Sequence, residues 1–148
     1  MKRSAVPLLF LSVLAVYVGH VFEEGWGRFQ PIERVFGLGG FLALAWILLL
    51  VPMAVFYLVL KKVRAAYGLG ILYAGLMSLN GLYHIVALAV TGRYFDGFAG
   101  SITSIPLIVL GPLLIRALRQ ERSAVIARRK PAAVEPGDPA AGPLRRPT

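Results

Sequence analysis

Two groups of polar side chains interrupt an otherwise apolar chain: His20, Glu23 and Glu24, in the order His-x-x-Glu-Glu, and Asn80 with His84, four residues apart. Imidazole nitrogen with carboxylate or amide oxygen is the donor set of zinc, iron and manganese sites. The chain has no cysteine, so any metal it holds must be bound by nitrogen and oxygen alone. His20, Glu23, Glu24, Asn80 and His84 are the candidate ligands of one divalent metal. Glu23 and Glu24 are also the candidate catalytic carboxylates, because the one not bound to metal is placed to act as a general base. Tyr94, Asp96 and Ser101 lie close enough in the expected topology to support these groups from behind.

These residues must be positioned by helices that live in lipid. Of 148 residues, 57% are hydrophobic and 16% charged, with a mean hydropathy of +0.71, which is too much apolar surface for a water-soluble domain of this size. Four apolar runs, Ala5 to Phe22 (continuing to about Gly25), Val35 to Leu60, Ala65 to Val90 and Phe98 to Leu118, are each long enough to cross about 30 Å of hydrocarbon. Short connections make neighbouring runs antiparallel. The expected fold is an all-α, integral membrane four-helix bundle over residues 1–120, followed by a basic, Pro/Ala-rich tail over 121–148 that lacks the apolar residues to fold alone. The last helix is expected to run on to about Arg129 before the tail becomes disordered.

The net charge of +9 has a topological explanation. Every Lys and Arg except Arg28, Arg34 and Arg93 falls at the N-terminus, in the second connection or from Arg116 to the end, which a four-span chain places on one side. The positive-inside rule makes that side cytoplasmic, with both termini, and makes the chain a multi-pass protein of the cell membrane. The basic residues flank apolar segments and do not gather on an aromatic platform, so no nucleic-acid partner is expected. Membrane lipids are the expected partners, and homo-oligomers are compatible with so small a bundle.

Imidazole and carboxylate are costly in hydrocarbon and are kept there when they face protein, water, a proton path or a metal. On a helix, residues three and four apart share a face, so His20 can stand beside Glu23 and Glu24, and Asn80 beside His84. Counting 1.5 Å per residue back from the ends of the first and third spans puts His20 roughly 8 Å and His84 roughly 9 Å below the same surface, so the two imidazoles can meet at one level in the outer half of the bundle. Pro52 and Pro106 remove helical hydrogen bonds, with Thr103 and Ser104 near the second to satisfy freed carbonyls. No phosphate-binding loop, dinucleotide fingerprint or Ser-His-Asp arrangement is present.

The order of these motifs resembles that of HXXEE domain proteins, a family of small multi-span membrane proteins. The resemblance rests on His20-Val21-Phe22-Glu23-Glu24, on Asn80-Gly81-Leu82-Tyr83-His84 and on Tyr94-Phe95-Asp96-Gly97 ahead of a fourth span with Pro106, and it covers residues 10–118. Members of the family often carry proline where Asp96 stands. What the resemblance implies is a shared polar site, with no reaction attached.

Three functions are compatible with the residues. A metal-dependent membrane enzyme would use the His/Glu site on a lipid-like substrate entering from the bilayer. A small proton-coupled carrier would exchange protons among His20, Glu23, Glu24 and His84. A non-enzymatic protein would use the same cluster to join its helices, with Arg28 or Arg93 neutralising Glu24 and Asn80 bonding to His20.

Overall fold

The computed structural model describes residues 4–28 and 30–129, with the side chains of 30–32, 96–97 and 128–129 outside that description. Four helices follow one another: α1 (Val6–Gly27), α2 (Gln30–Leu60), α3 (Arg64–Thr91) and α4 (Ser101–Arg129), with a π-helical turn, Tyr94–Phe98, between α3 and α4. There is no strand among the described residues. Each helix contains a stretch long and apolar enough to cross a membrane, and the antiparallel bundle they form is the expected one. The tail from Lys130 to Thr148 and the basic residues Lys2 and Arg3 lie outside the described residues.

The helix ends follow local chemistry. Pro7 sits in the first turn of α1, where its missing N–H removes no helical bond. The helix stops at Arg28, whose left-handed backbone turns its N–H back to the Glu24 carbonyl. α3 ends in the same way at Gly92, which donates to Leu88 O at 2.8 Å. α2 is interrupted at Gly37, with φ 68° and ψ 168°, a backbone that a β-carbon would strain. The stretch long and apolar enough to cross a membrane, Glu33–Leu60, contains that break.

α4 departs from the expected start at Phe98. Phe98 closes the π-helical turn, with its N–H on Arg93 O at 3.1 Å, and Gly100 at φ 107° then redirects the chain so that the helix begins at Ser101. The same helix continues through residue 120, the expected domain boundary, to Arg129.

α3 and α4 pack most closely. Gly81 is one reason, because a β-carbon there would lie 2.9 Å from the Ser104 carbonyl oxygen. The core at the end bearing both described termini is apolar and includes Phe10, Val13, Tyr67, Leu114 and Leu118, all fully buried. Glu121 fastens that end by meeting Ser4, Lys62 and Tyr67, which brings the start of α1, the α2–α3 connection and α3 onto α4. Large apolar side chains such as Leu8, Ile47, Leu72 and Val90 face outward around the bundle, as lipid-facing residues must.

Candidate metal centre

α1 carries His20, Glu23 and Glu24 to the opposite end of the bundle, and α3 brings Asn80 and His84 to the same level. The two imidazoles meet edge to face, with ring centroids 4.7 Å apart. Glu24 joins them: its Oε1 lies 3.0 Å from His84 Nε2 and 3.5 Å from His20 Nε2. These residues are 1% (His20), 7% (Glu24) and 0% (His84) exposed, so the group is sealed from bulk solvent. Each offers one ligand atom, and the three atoms lie within 4.8 Å of one another. Zinc ligands stand about 2.0–2.2 Å from the ion, and nitrogen, nitrogen and oxygen gathered this closely could hold a divalent metal. Asn80 completes the rim, with its side-chain amide nitrogen 2.9 Å from His20 Nε2. A half-turn of that amide would present oxygen in its place.

Glu23 is placed differently from the sequence expectation, which put it among the ligands and bases. Neighbouring helical residues point about 100° apart, so when Glu24 faces α3 its neighbour is turned toward α4. There the first N–H groups of a helix have no helical partner. Glu23 Oε1 accepts from Ile102 N at 3.0 Å and Tyr94 OH at 2.6 Å, while Oε2 accepts from Thr103 N at 2.9 Å and Thr103 Oγ1 at 2.6 Å. Glu23 thus caps α4 from another helix, with its negative charge at the positive end of the helix dipole. Both oxygens are engaged by donors, and Glu23 is not part of the His20, Glu24 and His84 group.

Thr103 connects the two clusters. Its single hydroxyl proton goes to the Glu23 carboxylate, so at 2.8 Å from His20 Nδ1 the same oxygen acts as acceptor and the imidazole nitrogen as donor. That assigns the proton of neutral His20 to Nδ1 and leaves the lone pair on Nε2, facing Glu24 and Asn80. A ligating histidine is commonly held in this way, by a partner on its other nitrogen. The sequence reading associated Thr103 only with Pro106. The missed signal was its position in the first turn of a helix, where a hydroxyl and an N–H can be offered together.

The supporting residues divide. Tyr94 holds Glu23, and desolvation, followed by its hydrogen bond to that carboxylate, pushes its phenol up to about 12. Ser101 is buried, with its hydroxyl 2.8 Å from Phe98 O and 3.2 Å from His84 O, so it ties the chain before α4 to the main chain that carries His84. The side chain of Asp96 lies outside the described residues. Gly100, not singled out from sequence, forms a wall of the centre: a β-carbon there would stand 2.7 Å from His20 Cε1 and 2.9 Å from His84 Nδ1. Arg28, a candidate neutraliser of Glu24, pairs with Glu33 at 2.8 Å.

One side of the centre opens into a trough of about 440 Å³ between α1, α2 and α3, with His20, Glu24 and Asn80 at its polar end. The remainder of its wall is almost wholly apolar. Fold and site together define a multi-span helical membrane protein with a buried His-Glu-His group at the head of an apolar trough. Compared with family models, curated proteins and solved structures, the chain has no match.

Proposed function

We propose that this chain is a metal-binding protein of the cell membrane, with both termini cytoplasmic, whose His20, Glu24 and His84 hold one zinc, iron or manganese ion and act as a metal-dependent enzyme on a lipid-like substrate. The observation that carries this reading is the meeting of two imidazole nitrogens from two helices on one Glu24 oxygen, at 3.0 and 3.5 Å. Two histidines and one carboxylate are the protein ligands of catalytic zinc sites and of non-haem iron sites, which keep further positions open for substrate. The trough is where such a position would open. A bound metal supplies Lewis-acid polarisation of a substrate oxygen. The chain's own residues do the rest: Asn80 stands at the junction of centre and trough to orient the polar group, and Thr103 and Glu23 hold His20 in its ligating form. The motif resemblance to HXXEE domain proteins is in keeping with a shared site of this kind, and membership of that family is part of the proposal.

The packing beyond the centre favours an enzyme over a carrier. A proton or ion path needs polar groups through both halves of the bundle, whereas Phe10, Val13, Leu114 and Leu118, all buried, pack in the half bearing the termini. A structural role has one observation in its favour, the Asn80 to His20 hydrogen bond at 2.9 Å.

Metal analysis separates the readings. Protein purified after growth with added zinc, iron and manganese is expected to retain about one ion per chain, as catalytic sites of this ligand set do. His20→Ala, His84→Ala and Glu24→Gln should each lose it, while Glu23→Gln keeps it. Metal-free wild-type protein that takes up none of the three ions would overturn the proposal and leave the structural role.

A further inference from the structure

The trough has a shape that the metal centre does not require. It follows α3 from Asn80 back to Leu69, a run of roughly 16 Å at 1.5 Å per residue. That is about half the thickness of a bilayer's hydrocarbon, the depth of one lipid tail in one leaflet. Its back wall is α1 and the inward face of α2, including Ala45 and Phe41, both buried. Its lips are Leu48 and Val51 on α2 and Leu72 and Leu76 on α3, each at least half exposed. The trough therefore opens sideways, between α2 and α3, onto the surface that lipid tails cover.

The polar end is closed. His20 and His84 are buried, Gly100 lies against both imidazoles, and Tyr94 is bonded to Glu23, next to Glu24 on α1. A phospholipid entering from the side could not bring its bulky head group to the centre, and two tails would not share a single trough of about 440 Å³. A single chain ending in a small oxygen-bearing group meets both limits.

We propose that the trough binds one single-chain lipid with a small polar head, a carboxyl, aldehyde or hydroxyl group, which enters between α2 and α3 and lays its head against His20, Glu24 and Asn80. The inference rests on the metal-centre reading for what happens to that head, while occupancy by the chain depends on the trough alone. The apolar wall holds the tail and the polar end selects its terminus, the division of labour usual in small-molecule sites. Entry from the bilayer also explains how a substrate reaches a group that bulk water does not.

The test uses the full chain in phospholipid nanodiscs with a long-chain fatty acid carrying a photoreactive diazirine at mid-chain, its attachment sites mapped by peptide mass spectrometry. Labelling should concentrate on the trough, around Leu48 and Leu72, and fall roughly tenfold with excess hexadecanoic acid despite the phospholipid already present, as expected of a specific site. Leu76→Trp, which fills the trough, should lower labelling similarly. Leu82→Trp, on the lipid-facing side of α3, should leave it unchanged. Ala45→Phe narrows the trough from the back wall and serves as a second blocking variant if Leu76→Trp fails to fold. Labelling spread evenly over lipid-facing residues such as Leu82, or unaffected by hexadecanoic acid or by a folded blocking variant, would overturn the proposal. Metal content measured on the same preparation separates the two ideas: metal without competed labelling rejects the lipid, and competed labelling without metal rejects the enzyme.

Discussion

Thr103 Oγ1 stands 2.6 Å from Glu23 Oε2 and 2.8 Å from His20 Nδ1, so one hydroxyl passes the influence of a helix-capping carboxylate to a candidate metal ligand. Removing that hydroxyl should disturb the imidazole without unfolding the bundle. Thr103→Val is expected to weaken zinc binding by about 10–100-fold, the usual effect of losing a partner behind a ligand, and Thr103→Ser to restore most of it. Competition against a chromophoric chelator measures both. Equal affinity in wild type and Thr103→Val would show that the hydroxyl does not orient His20.

The two adjacent glutamates should fail in different ways. Glu23→Ala removes the acceptor for four donors at the start of α4 and should lower thermal stability by roughly 1–3 kcal/mol. It should still bind metal when metal is saturating. Glu24→Gln should retain the fold and lose the ion, because its Oε1 is the atom both imidazoles approach. Reversal of these two outcomes would exchange the roles assigned here.

Gly100 admits no side chain. Its φ of 107° is unfavourable for any other residue, and an added β-carbon would press on both imidazoles. Gly100→Ala is expected to cost about 1–3 kcal/mol from backbone strain and, beyond that, to reduce bound metal by moving a ring. Thermal unfolding and element analysis of one preparation report the two effects separately.

Tyr94 gives the Glu23 clasp an alkaline limit. Its phenol titrates normally near 10.0 and in the fold is pushed up to about 12 by desolvation and by the carboxylate it donates to. Between those values the unfolded chain has lost the proton that the folded chain keeps, so stability falls as pH rises. The stability gap between wild type and Tyr94→Phe should be full below pH 10 and shrink toward pH 12. A gap unchanged over that range would mean that the Tyr94 proton is not what holds Glu23.

Metal should also stabilise the folded chain. Zinc at about a hundred times its dissociation constant adds roughly 2.7 kcal/mol to the stability of a protein that binds it only when folded. A chelator-reversible rise in unfolding temperature is expected for wild type and for Glu23→Gln, and no rise for His84→Ala. A rise that survives in His84→Ala would place the ion elsewhere.

Much of this protein is legible in its amino-acid order, because lipid imposes simple rules. Apolar runs of sufficient length must become helices, since no other single segment satisfies its backbone bonds in hydrocarbon, and the four runs place α1 to α4 to within a few residues. Helical rise alone brings His20 and His84 to one level, and they meet there. The motif could not say which of Glu23 and Glu24 turns to the histidines, because both lie within one turn of His20. Only the packed bundle decided it: the unpaired N–H groups at the start of α4 claim Glu23, and the rotation of α1 that this sets leaves Glu24 to the imidazoles. Thr103, Gly100 and the trough belong to the same category. Each acquires its role from a neighbour distant in sequence, and such contacts exist only once helices have chosen their faces.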